Sequence, residues 1–167
     1  MEIRIRETGA VMYESELRSY LQANNGPSYD QLTPEVMEAI GVDPVLEGPS
    51  ATGGDHYQFS QRDGVEQVDG KWYTKYILGP VFTDLAAEGD RPAQTAAEQE
   101  AAYKAAKDAE QAKSIRDKRN TKLSESDWTQ VADAPVDKAT WATYRQALRD
   151  VTKQTGFPWT IDWPTQP

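Results

Sequence analysis

Alternating hydrophobic and polar positions at the start of the chain predict a short strand with one buried face. Ile3 and Ile5 alternate with charged residues, and Gly9 interrupts the pattern. The apolar pair Val11 and Met12 then predicts a strand that returns beside the first.

Two short helices are predicted next. Ser15 can cap the first, which carries apolar residues at helical spacing. Thr33, Pro34 and Glu35 are typical of a second helix start, because a hydroxyl can cap free N–H groups and proline fits the first turn. Gly41 follows as a left-handed terminator.

The pattern then predicts a loop followed by a β-hairpin. Pro44 and the glycine-rich residues 48–54 mark the loop. Asp69-Gly70 is a pair that tight hairpin turns prefer, and the run from Lys71 to Leu78 predicts the strand after it. We expect a meander of about three strands that ends at Gly79-Pro80.

Residues 92–124 predict one long helix. Alanines alternate with Glu, Gln, Lys and Arg, which are strong helix formers, and no breaker interrupts them. Glu100 and Lys104 form a supportive pair one turn apart. The apolar stripe is thin, with Tyr103, Ile115 and Leu123 as its large members. We therefore expect a charged spacer, and self-association of the protein through this helix is an alternative.

A second amphipathic helix is predicted from Asp137, its N-cap, to about Lys153. One apolar face recurs at steps of three and four residues: Trp141, Tyr144, Leu148 and Val151. Arg145 and Arg149 form a basic ridge beside that face. Core and interface are equal alternatives for the apolar residues, because the local segment offers little else to cover them.

The tail after this helix is rich in tryptophan. Gly156 and Phe157-Pro158 are predicted to end the helix. Trp159, Ile161 and Trp163 then alternate, which predicts an extended tail with these side chains on one side. Tryptophans beside prolines favour a docking surface, since Trp, Tyr and Arg dominate the energetically important positions of interfaces.

These patterns predict an α+β fold in three parts: a small α+β domain over residues 1–85, a long helical spacer over 86–126, and a C-terminal module over 127–167. Charge supports the division. Residues 1–90 hold 16 acidic and 6 basic residues, whereas residues 91–126 hold 6 acidic and 8 basic ones.

Composition narrows the possible partners. The net charge of −9 disfavours nucleic acids and anionic membranes, which bind surfaces rich in Lys and Arg. The chain has no cysteine, which excludes disulfides and thiolate chemistry. It also has neither a signal-peptide pattern nor an apolar run near the ~20 residues of a membrane span. We expect a soluble protein made without an export signal.

No pattern of residues predicts catalysis or a bound cofactor or metal. The single histidine, His56, lies in a glycine-rich loop with one acid beside it, and we interpret it as structural. Gly53-Gly54 lacks the lysine and following helix of a phosphate-binding loop. The acidic residues are typical of an ordinary acidic surface. We therefore expect no catalytic residues, no metal site and no cofactor.

The last forty or so residues resemble the C-terminal module of phage tail-assembly (tail-fibre assembly) chaperones, most strongly over residues 115–167. The resemblance rests on the sequences DWTQ from Asp127, DAP from Asp133, WATYRQALRD from Trp141, and GFPW from Gly156 followed by Trp163-Pro164. The basic sequence IRDKRNTKL from Ile115 is similar to the helical lead-in of that family. Relatives often have Ile-Pro where this chain has Val151-Thr152, so we expect the helix to continue one turn further.

The resemblance implies a bacteriophage protein that binds a tail-fibre or other tail polypeptide and assists its folding, trimerisation or attachment without being an enzyme. It would act in the host cytoplasm during assembly. A structural tail or fibre-adaptor subunit that stays in the virion is the alternative. The expected partner-binding residues are Trp128, Trp141, Tyr144, Arg145, Leu148, Arg149, Phe157, Trp159 and Trp163.

Overall fold

The computed structural model describes residues 1–167 and confirms the α+β fold. The strands are β1 (Glu2–Ile5), β2 (Val11–Tyr13), β3 (Val42–Leu46), β4 (Phe59–Val68) and β5 (Lys71–Gly79). The helices are α1 (Glu14–Ala23), α2 (Pro34–Ile40), α3 (Ala96–Glu125) and α4 (Lys138–Asp150). The chain separates into two compact units, Met1–Val81 and Phe82–Pro167, and the division into three parts stays a prediction.

The N-terminal unit is built on one mixed sheet of five strands in the order β2-β1-β3-β5-β4. Only β3 and β5 run parallel, and the other neighbours are antiparallel. The core of this unit joins the first strands to the helices, with Ile3, Leu17 and Val42 completely or almost completely buried. The predicted alternation around Ile3 is therefore confirmed as a strand with one face in the core.

The sheet curls strongly, as an ion pair between two of its strands shows. Arg62 on β4 donates two hydrogen bonds of 2.6 Å to the carboxylate of Glu2 on β1. Three strand spacings of about 4.8 Å would separate these strands in a flat sheet, so the two side chains meet only because the sheet bends. The Arg62 guanidinium in turn holds the pKa of Glu2 below its ordinary value.

Several predicted details of this unit are confirmed. The β4–β5 hairpin turns at Asp69 and Gly70, both with positive φ, at 48° and 77°. Thr33 caps α2, its hydroxyl accepting a hydrogen bond from the Val36 N–H at 3.3 Å, and Gly41 ends the helix at a φ of 71°.

Three details of the N-terminal unit differ from the prediction. Ser15 lies inside the first turn of α1, and the Glu16 carboxylate accepts the Tyr13 N–H at 2.9 Å instead. Pro44 was expected in a loop but lies in β3, an interior strand. Pairing of β3 with β5 begins only at Val45, so at Pro44 the strand is paired with β1 alone. Proline has no N–H to donate, and it is tolerated at a position where one side of the strand is unpaired. In place of the expected meander of about three strands before Gly79-Pro80, β4 and β5 form a two-stranded hairpin.

The C-terminal unit begins with a short connection into α3. The hydroxyl of Thr95 accepts the Glu98 N–H at 3.2 Å, and the Glu98 carboxylate accepts the Thr95 N–H at 2.8 Å. This reciprocal pair satisfies two free donors at the helix start. The predicted ion pair of Glu100 and Lys104 is present at 2.6 Å, and the helix runs for 30 residues.

The second half of α3 packs against α4. Ala112 and Ile115 on this half of α3 are buried, and a 3-10 turn over Asp127–Gln130 lies between the two helices. Sequence reasoning underestimated the contact because the stripe on α3 is thin, whereas α4 supplies the large buried side chains against which Leu123 packs. None of the helices combines the length and apolar character that a membrane crossing needs.

Candidate partner-binding surface

Helix α4 turns its predicted apolar face into the C-terminal unit. Trp141, Tyr144, Leu148 and Val151 are all buried, and the rings of Trp141 and Tyr144 meet edge to face at 5.7 Å. The predicted cap is confirmed: the Asp137 carboxylate accepts the Ala139 N–H at 3.0 Å. A second hydrogen bond, from the Thr140 hydroxyl, is the main cause that lowers the pKa of Asp137 below its ordinary value.

Arg145 is buried rather than part of an exposed basic ridge. Its guanidinium donates to the Leu123 carbonyl at 2.6 Å, the Ser126 hydroxyl at 2.7 Å and the Asp127 carboxylate at 2.6 Å. These three acceptors lie at the end of α3 and in the turn after it. Arg145 therefore ties the junction between the helices to α4, while Arg149, one turn further along, is exposed.

After α4 the chain makes a compact turn before the tail. The α-helix ends at Asp150, and a 3-10 turn over Val151–Lys153 follows it, so helical backbone continues for one more turn as expected. Residues 155–160 then fold tightly, with the Thr160 N–H donating to the Gly156 carbonyl at 2.7 Å. A Cβ on Gly156 would lie 2.4 Å from the Thr160 carbonyl oxygen, so glycine is required here by the close approach of the backbone.

The predicted extended tail is thus wrong at Trp159 and Thr160, which belong to this turn. The side chain of Gln154 also pairs with the backbone of Asp162, donating to its carbonyl at 2.7 Å and accepting its N–H at 2.8 Å. This pairing closes the turn. Gly156 does not end α4, which stops six residues earlier at Asp150.

Three aromatic side chains of the turn and tail lie against α3, and each is half-buried. The Trp159 indole N–H donates to the Asp108 carboxylate at 2.6 Å. The Arg116 guanidinium lies 5.4 Å from the Phe157 ring centre, and the Lys122 ammonium lies 5.8 Å from that of Trp163. The turn is therefore held on α3 by one charge-assisted hydrogen bond and two cation–π contacts.

Trp128 is the most exposed aromatic residue of the nine expected partner-binding residues. It lies on the 3-10 turn between α3 and α4 with 50 % of its surface exposed, and Val131 beside it is 52 % exposed. Its ring centre lies 5.9 Å from that of the buried Trp141. Trp128 thus extends the aromatic core of this unit to the surface.

The nine expected residues therefore fall into two groups. Four are buried: Trp141, Tyr144, Arg145 and Leu148. Five are exposed or half-buried: Trp128, Arg149, Phe157, Trp159 and Trp163. Sequence reasoning missed Asp108, Ser126 and Val131. The contacts of Asp108 and Ser126 join positions 51 and 19 residues apart, and no local periodicity reports such pairs.

The structure holds no group of three or more His, Cys, Asp or Glu residues that could bind a metal ion. The ring of His56 lies against that of Tyr57, with 4.2 Å between the ring centres.

No curated protein and no solved structure matches the chain significantly. A match to one protein family confirms the resemblance of the C-terminal segment. Residues 112–167, which include the second half of α3, α4 and the turn, match the family of phage tail assembly chaperone proteins.

Proposed function

We propose that the protein is a phage tail assembly chaperone that binds a tail-fibre polypeptide and assists its folding, trimerisation or attachment. The role requires no enzymatic step and takes place in the host cytoplasm during assembly. The observation that carries the proposal is the family match over residues 112–167, which covers the second half of α3 and all of α4, the helix that carries the aromatic core.

The two groups of residues have different tasks in this proposal. Trp128, Phe157, Trp159, Trp163 and Arg149 contact the client, because their side chains reach solvent. Large aromatic residues with one exposed face contribute strongly to binding at interfaces. The four buried residues hold the surface in shape, and Arg145 does so by fixing the turn that carries Trp128.

The client has surfaces that need protection before assembly. Fibre proteins that are rich in strands expose unpaired N–H and C=O groups at strand edges, which invite pairing with the wrong chain. An aromatic surface can cover apolar residues next to such an edge until trimers form. The edge strand β4 offers a second means of contact, because only β5 pairs with it.

Co-expression with the tail-fibre protein encoded beside this chain tests the proposal. We expect soluble fibre trimers with the full-length protein and aggregated fibre without it, as measured by size exclusion with light scattering. Trp128→Ser should lower the yield of trimers, whereas Thr143→Ser, on the exposed side of α4, should not. Equal yields of trimers with and without the protein would contradict the chaperone role.

A second candidate is a tail or fibre-adaptor subunit that stays in the virion. One observation favours it: residues 1–81 form a compact unit with its own core outside the matched segment. Such a unit could anchor the protein in the tail. Mass spectrometry of purified particles separates the candidates, since stoichiometric amounts in finished virions would support the adaptor and contradict a transient chaperone.

A further inference from the structure

A concentrated positive charge lies on the second half of α3, although the protein is acidic. Between Lys113 and Lys122 the chain has five cationic residues and one carboxylate, that of Asp117. The whole protein carries a net charge of −9. This part of α3 is therefore opposite in charge to the rest of the molecule.

Most of these cations have no carboxylate partner. Lys113 pairs with Asp117 at 2.8 Å. The other four form no ion pair within 4.0 Å: Arg116, Lys118, Arg119 and Lys122. The first half of α3 differs, because Lys104 and Lys107 pair there with Glu100 and Glu110.

Two of the four unpaired cations are next to apolar rings. Arg116 lies over Phe157 and Lys122 over Trp163, and both rings are half-buried. One surface of the C-terminal unit thus combines unneutralised positive charge with accessible aromatic groups. We define the basic–aromatic surface as Arg116, Lys122, Phe157 and Trp163.

We propose that the basic–aromatic surface binds an acidic, apolar segment of a partner protein. The inference deepens the proposed chaperone function by naming the chemistry of the client segment. Carboxylates of that segment pair with the two cations, and its apolar side chains lie against the two rings. Complementary charge of this kind speeds association and selects against basic partners.

A nucleic acid fits the same surface less well. Phosphate backbones require neutralisation along many successive charges, and affinity falls steeply where acidic groups approach them. The remainder of the chain is strongly acidic, and the first 90 residues alone hold 16 acidic residues. A short acidic segment needs only a few cations, which is what this surface provides.

Two synthetic amphipathic peptides of equal length test the inference. Both carry Leu and Trp on the apolar face, and one has Glu and the other Lys on the polar face. Fluorescence anisotropy with the full-length protein should show the Glu peptide binding about tenfold more tightly than the Lys peptide, and the preference should shrink as salt is raised.

Two double variants with the same change in net charge provide the matched comparison. The first combines Arg116→Gln and Lys122→Gln, and should lose the preference for the Glu peptide. The second combines Lys104→Gln and Lys107→Gln, which removes only cations already paired with carboxylates, and should keep it. Equal losses in both would overturn the inference, since net charge alone would then explain the preference.

A charge-preserving variant separates charge from packing. Arg116→Lys with Lys122→Arg keeps both positive charges, so the preference should survive, and its loss would overturn the inference. Three further outcomes would also overturn it: no preference by the wild-type protein, binding of single-stranded oligothymidylate in place of the Glu peptide, or a change of oligomeric state in the first double variant alone. None of these measurements depends on the fibre protein, so the inference and the proposed function can fail separately.

Discussion

The indole N–H of Trp159 donates a hydrogen bond of 2.6 Å to the carboxylate of Asp108, and this bond joins the C-terminal turn to the middle of α3. The two residues are 51 positions apart in the sequence. Their contact places the turn along the second half of the helix, where the rings of Phe157 and Trp163 also lie. The accessible aromatic surface therefore depends on a bond to a charged acceptor.

Loss of that bond should loosen the turn. Trp159→Phe keeps a large ring but removes the N–H, so we expect the free energy of unfolding to fall by about 1–2 kcal/mol. Urea denaturation of the full-length protein measures the change. Trp128→Phe on the exposed 3-10 turn is the control and should change stability much less. Equal effects of both substitutions would argue against a stabilising role for the bond.

Arg145 should be intolerant of lysine. A lysine ammonium cannot reach three acceptors arranged around a planar guanidinium, and a buried charge that loses its partners is strongly destabilising. We expect Arg145→Lys to lower the free energy of unfolding by about 2–4 kcal/mol. Arg149→Lys, on the exposed side of the same helix, should leave thermal unfolding unchanged. A stable Arg145→Lys variant would contradict a stabilising role for the three hydrogen bonds of Arg145.

Local patterns predicted the elements of the fold, because caps, turn dipeptides and periodicity act over a few residues. Thr33, Gly41 and Asp137 are examples: each acts on neighbours within four positions. Strand β3 escaped prediction because Pro44 is unusual in an interior strand. It is tolerated only through the late start of pairing with β5, which depends on residues far along the chain.

The surface was predictable in part. Aromatic content and the family motifs drew attention to the correct segment, but burial of each residue depends on its partners across the unit. Arg145 illustrates this limit, since its spacing on α4 matches that of exposed Arg149 one turn later. Its burial follows from Leu123, Ser126 and Asp127, and their positions are set by the end of α3.

Asp137, the N-cap of α4, should make the stability of the protein depend on pH. The pKa of Asp137 is lowered by hydrogen bonds from Thr140 and the Ala139 N–H, so its charged form is favoured in the folded state. The stabilisation is present above the ordinary pKa of 3.8 and is lost as pH falls through the lower folded value. The difference in stability between wild-type protein and Asp137→Ala should therefore shrink below about pH 4. Thermal unfolding across pH 2.5 to 7 measures this difference in stability, with Asp133→Ala as control. A difference that does not change with pH would contradict a stabilising role for the charged Asp137 carboxylate.

Gly156 should not accept a side chain. A Cβ there would lie 2.4 Å from the Thr160 carbonyl oxygen and 2.8 Å from its Cβ, so Gly156→Ala must open the turn. We expect a loss of about 1–3 kcal/mol in the free energy of unfolding. Thr155→Ala, at the exposed neighbouring position, should have little effect in the same urea titration. Unchanged unfolding of Gly156→Ala would mean that the turn relaxes without cost.

Substitution of Trp128 should weaken binding of the fibre protein while changing the stability of the fold little. Its ring is half-exposed, so Trp128→Ser removes little buried area, and we expect a change in unfolding free energy of less than about 1 kcal/mol. If the ring contacts the fibre protein, affinity should fall by about 2 kcal/mol, or roughly thirtyfold, as at a typical important interface residue. Trp141→Ser should have the opposite balance: it should lower the free energy of unfolding more than the affinity for the fibre protein, because that ring is buried beneath Trp128. Titration of each variant against purified fibre protein, beside its unfolding curve, distinguishes the two; unchanged affinity of Trp128→Ser would remove this ring from the binding surface.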